Sequence, residues 1–130
     1  MAQEQVFVVD ASVAVKWYVY EELRDKALRL REDFLSERID LEAPSLILYE
    51  VGNAIRYHPG ATASECASAV RHLRELGIAI RELDNSAIRI AAKIALEEKL
   101  TFYDAAYRSL GHASPRASPQ ALCESILPQS

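Results

Sequence analysis

Short apolar runs alternate along the chain with longer stretches in which apolar residues recur every three or four positions. Val6-Phe7-Val8-Val9 is four consecutive apolar, mostly β-branched residues, the composition of a strand buried on both faces. Asp10 ends it, and Ser12 is placed to cap a helix running through Lys16, Trp17 and Tyr18. A second helix is predicted from about Glu21 to Glu37, with Leu23, Ala27, Leu30 and Phe34 on one face and Arg and Glu on the other. A short strand follows near Ile39 to Ala43, and Pro44 fits the first turn of the next helix. That helix, Ser45 to Tyr57, is apolar nearly all round and is expected to be buried.

His58-Pro59-Gly60 stops it, and Thr62 to Glu65 has the form of a capping box. The helix it opens carries Cys66, Val70 and Leu73 on one side and ends at Gly77. Ile78 to Leu83 reads as a further strand, and Asp84-Asn85-Ser86 starts a helix through Leu96. Leu100 to Tyr103 is read as a connector, with Asp104 opening the last helix. Strands alternating with helices predict a mostly parallel sheet covered on both faces. From Gly111 to Ser130 the character changes: Pro115, Pro119 and Pro128 fall here, and Arg116 and Glu124 are its ionised side chains. Pro115 and Pro119 exclude a regular helix, and Ala121 to Leu127 is the stretch expected to pack. The chain is therefore divided into a domain over 1–110 and an atypical tail over 111–130.

Length and composition fit one domain: 130 residues, 50% hydrophobic and 26% charged. Cys66 and Cys123 make neither a disulfide framework nor a zinc site, which suits a reduced cytosolic setting. The polar N-terminus lacks a secretory pattern, and runs such as Leu46 to Tyr49 are too short to span a bilayer. A cytoplasmic protein with no membrane partner is expected. Fifteen basic against nineteen acidic residues give −4, which at first sight argues against a partner built of phosphates.

The acids themselves change that picture. Asp10 follows a buried strand, where open parallel sheets place their ligand crevices, although a capping or turn aspartate is the plain alternative. Glu50 sits among Leu46, Ile47, Leu48, Val51 and Ala54, where an unpaired carboxylate costs several kcal/mol. Such an acid pairs with a cation or holds a metal, and Asn53 shares its face. Asp104 has N-capping as its own best explanation. Together, three acids without a His or Cys partner suit Mg²⁺ or Mn²⁺ rather than zinc.

The residues around these acids resemble a known family. Val-Val-Asp-Ala-Ser-Val-Ala-Val-Lys-Trp (Val8 to Trp17) resembles the opening of PIN-domain proteins. Ala-Pro-Ser-Leu-Ile-Leu-Tyr-Glu-Val-Gly-Asn-Ala (Ala43 to Ala54) and Leu-Thr-Phe-Tyr-Asp-Ala-Ala-Tyr (Leu100 to Tyr107) are similar to their second and third motifs. Order and spacing match the VapC toxins of prokaryotic toxin–antitoxin pairs, over about Val6 to Leu110. The resemblance implies a three-layer α/β/α sandwich and Mg²⁺- or Mn²⁺-dependent endoribonuclease activity on RNA. Asp10, Glu50 and Asp104 match the family's metal-binding carboxylates, and Ser12 matches a hydroxyl beside the first. A homodimer and a cognate antitoxin that covers the site are implied as partners. The family's fourth acid, in a Thr-x-Asp-like segment, has no counterpart: no aspartate follows Asp104, and the later acid is Glu124. That departure carries the alternative, a non-catalytic PIN-like module binding RNA or protein. A purely structural domain survives if the three acids lie far apart.

Other features are ordinary. Cys66 is expected in the core, and His58, His72 and His112 share no ligand spacing. Arg24, Lys26, Arg29 and Arg31 alternate with acids, as on a solvated helix face. Neither a dinucleotide fingerprint nor a P-loop is present.

Overall fold

A computed structural model describes residues 5–113 and 117–122. The elements in order are β1 (Gln5–Val8), α1 (Ala11–Ala14), a 3₁₀ turn (Val15–Trp17), α2 (Arg24–Leu35), β2 (Ile39–Pro44), α3 (Leu46–Arg56), α4 (Ala63–Glu75), β3 (Ala79–Arg81), α5 (Asn85–Glu98), α6 (Phe102–Ala113) and β4 (Ala117–Leu122). Their strands form one parallel sheet in the order β3-β2-β1-β4.

That order dictates the layers. From β1 to β2 to β3 the chain steps in one direction, and from β3 it returns past both to β4. Right-handed crossovers then put α2, α3 and α4 on one face and α5 and α6 on the other. The packing agrees: α3 lies on α4, α5 on α6, and α6 reaches β1, β2 and β4. The result is the expected α/β/α sandwich. Val8, Val9, Leu41, Ala43, Ile47, Val51 and Tyr107 are among its buried core.

Several boundaries differ from the sequence expectation, for physical reasons. Asp10, not Ser12, caps α1: its side chain accepts from Val13 N, and its extended φ of −104° is that of a cap. Pro44 closes β2 instead of entering α3, since the amide of Ser45 still bonds Arg81 O in the sheet at 3.0 Å. Helix α3 buries one stripe (Ile47, Val51, Ile55) and leaves Tyr49 75% exposed, so it is not enclosed all round. Thr101 opens α6, its Oγ1 accepting from Asp104 N at 3.0 Å, which moves the helix start ahead of Asp104. Thr62 caps α4 by accepting from Glu65 N, Asp84 starts α5 as expected by accepting from Ala87 N, and Gly77 takes the positive φ of 104° that releases the chain from α4.

β4 draws part of the Pro/Ser-rich segment into the sheet beside β1. Its pairing shifts register between Val6 and Val8, and proline is tolerated at such irregular edge strands. Pro115, Cys123, Glu124, Pro128 and 123–127 of the packing stretch lie outside the described residues. Among the described residues no helix is long and apolar enough to cross a membrane.

Candidate active site

The direction of winding reverses between β1 and β4, and ligands of open α/β sheets bind beyond the carboxyl ends of strands at such a reversal. Asp10 stands there, two residues past the end of β1. Its Oδ1 accepts from Ser12 Oγ at 2.7 Å and from Val13 N at 3.1 Å. Both cap bonds fall on one oxygen, so the other is not consumed by the cap.

Glu50 reaches the same place from the middle of α3. Tyr107 Oη donates to its Oε1 at 2.5 Å across 57 positions of sequence. Burial raises the Tyr107 pKa above its ordinary value. The hydrogen bond to Glu50 and the charges of Glu50 and Asp10 add to this, while the Ala11 amide bonding the phenol opposes it. Tyr107 is thus a fixed neutral donor beside both carboxylates. Neither Asp10 nor Glu50 forms an ion pair among the described residues. The bland explanation of Glu50, a structural bridge to an arginine, does not describe its surroundings.

Asp104 is placed differently. It is exposed in the first turn of α6, one helical turn before Tyr107. Among the described residues no three His, Cys, Asp or Glu side chains are gathered closely enough to hold a metal ion. The structure links Asp10 to Ser12 and brings Asp10 and Glu50 to Tyr107, while Asp104 is exposed on the first turn of α6.

A cleft of about 360 Å³ opens beside the pair, lined by Ser12, Lys16, Glu21, Glu50 and Asn53. Lys16 is nearly enclosed at 7% exposure, and its Nζ lies 3.5 Å from Glu21 Oε2. The other Glu21 oxygen is 3.6 Å from His58 Nε2. The backbone at Lys16 is pinned by Arg24 Nε to Lys16 O (2.9 Å), and that of α2 by Trp17 Nε1 to Ala27 O (2.7 Å).

Sequence reasoning passed over Tyr107 and Lys16. Tyr107 stands three residues after Asp104 in an otherwise small and apolar stretch, and a buried tyrosine needs a partner for its hydroxyl. Lys16 stands between Val15 and Trp17, a lone charge in a buried turn. Both signals were present in the chain. Cys66, expected in the core, is instead a half-buried free thiol packed against its edge, with Sγ 3.4 Å from Gly52 O, and His72 bonds Tyr18 Oη at 2.7 Å.

The reversal beside β1, the helical layers on both faces of the sheet and the carboxylates at its carboxyl edge define a doubly wound α/β protein with acids at the switch point. No family model matches the chain. It is 30% identical over 108 residues to Exonuclease VapC9 of Pyrobaculum aerophilum, across 83% of this chain and 74% of that protein. The chain belongs to the VapC family.

Proposed function

We propose that the chain is a metal-dependent endoribonuclease, the toxin of a VapBC-type pair, hydrolysing RNA phosphodiester bonds. One observation carries the reading. Two carboxylates from distant segments meet around Tyr107 at the switch point, neither of them in an ion pair among the described residues. The donor set is hard oxygen, and Mg²⁺ is commonly held by one or two carboxylates plus water and substrate phosphate. Asp10 and Glu50 would hold Mg²⁺ or Mn²⁺; Asp104, not gathered with them here, would be the third acid that the family resemblance implies. The metal would supply water activation and neutralise charge on the scissile phosphate.

The chain's own residues do the rest. Ser12 and the Val13 amide fix the Asp10 carboxylate by two bonds. Tyr107 orients Glu50 and keeps its proton, so it holds one Glu50 oxygen without competing for a cation. This outer bond is the kind that sets ligand orientation. The family supplies the remaining expectations, a cognate antitoxin over the site, a homodimer and a cytoplasmic setting. The relative's name says exonuclease, and a circular single-stranded RNA separates the two modes, because only an endonuclease opens it. The expected result is Mn²⁺-dependent opening that is lost in Asp10→Asn. Metal-independent opening by that variant would sink the assignment.

The absence of a third gathered acid among the described residues favours one other reading, a non-catalytic RNA- or protein-binding module. Calorimetric titration with Mn²⁺ decides between them: no heat at millimolar metal, with the fold intact, supports the module.

A further inference from the structure

A lysine as enclosed as Lys16 is retained only when its charge is satisfied, and an ammonium carries three donors. Glu21 takes one of them at 3.5 Å, beyond the usual range for such a bond. The second oxygen of Glu21 lies 3.6 Å from His58 Nε2, so the carboxylate is not directed at Lys16 alone. Lys16 lines the cleft beside the acid pair together with Ser12, Glu21, Glu50 and Asn53, and its ammonium lies beside Glu21 of that lining. A long flexible side chain normally carries its charge out to water. Here Arg24, bonded to Lys16 O and Trp17 O, and the buried Trp17 next to it fix the turn that keeps it in.

We propose that Lys16 binds a phosphate of the RNA strand in this cleft, contacting a non-bridging oxygen next to the bond placed at Asp10 and Glu50. The inference rests on the nuclease reading for the identity of the substrate. It answers a difficulty of charge: a strand entering a cleft lined by Glu21 and Glu50 meets repulsion, and Lys16 is the cation already facing it. Glu21 holds the ammonium in place until a phosphate competes for it. Lys16 needs no new conformation, only unspent donors.

The test is fluorescence anisotropy with a labelled single-stranded RNA in the Asp10→Asn background, over a range of NaCl concentrations. Lys16→Met is expected to weaken binding at least tenfold and to lower the salt slope by about one, while Lys16→Arg stays within threefold. Lys26→Met, which removes an exposed lysine of α2, is expected to lose less than threefold. Glu21→Gln keeps Lys16 and removes its partner, and is expected to tighten binding. A bridge that serves only the fold predicts unchanged or weaker binding there. The proposal is overturned if Lys16→Met binds within twofold of its parent with the same slope, if Lys26→Met loses as much, or if the parent binds no RNA. Failure of the nuclease reading is seen separately, as RNA left intact by the unsubstituted chain with Mn²⁺.

Discussion

Glu42 and Glu50 are both carboxylates in the body of the fold, and their surroundings differ in kind. Glu42 lies in the central strand β2, is 2% exposed, and takes a 2.8 Å bond from Arg81 Nη2. Its Oε2 is buried with no hydrogen-bond partner. Glu50 is half-buried, takes its bond from a neutral phenol, and opens to a cleft. The first acid is neutralised and closed off from solvent. The second is oriented and left without an ion pair among the described residues. Burial alone therefore does not mark a working carboxylate: the nature of its partner and its access to solvent do.

Substitutions at the two acids should separate accordingly. The largest effect is expected from Glu50→Gln, a loss of about 100-fold or more in RNA cleavage with little change in the urea midpoint. Arg81→Met should do the opposite, costing about 2 kcal/mol in urea unfolding while leaving turnover per folded molecule intact. The figure is set below that of a fully enclosed pair because Arg81 is half exposed. If Arg81→Met instead abolished cleavage and left stability alone, the contrast between the two acids would collapse.

Tyr107→Phe sharpens the same comparison at smaller scale. Removing the hydroxyl frees Glu50 Oε1, and cleavage or Mn²⁺ affinity should fall about tenfold, with about 1 kcal/mol of stability. Alkaline titration gives the mildest signature. Burial pushes Tyr18 up to about 12, against a smaller opposing effect of Arg31, and Tyr107 is raised as well. Unfolded phenols ionise near 10, so the unfolded chain loses protons first and stability falls as pH rises from 10 toward 12. Below that window neither group gives a slope. Absorbance at the phenolate band should show Tyr18 and Tyr107 lagging the other tyrosines, and Tyr107→Phe should remove part of the alkaline loss.

The α/β alternation was legible because the apolar runs at Val6 and Ile78 and the caps at Thr62 and Asp84 are local signals. Glu50 was legible because a charge in an apolar helix breaks a pattern. Glu42 was not, since Ile39-Asp40-Leu41-Glu42 alternates as a half-solvated strand does. Only the sandwich, which covers both faces of β2, turns that polar position inward. The partnership of Glu50 with Tyr107 was equally invisible, because the two are joined by crossovers and not by spacing. β4 was hidden by Pro119, which argues against a helix and leaves an edge strand open.

The return of the chain past β2 and β1 also governs when the site exists. Asp10, Glu50 and Tyr107 come from the beginning, middle and end of the described chain, and no early fragment contains them all. During synthesis α1 and α3 leave the ribosome well before α6, so the phenol that fixes Glu50 arrives last. Contacts of such long sequence separation form late in folding. Under the proposed reading, activity on RNA is expected only after α6 has joined the sheet and Tyr107 has reached Glu50.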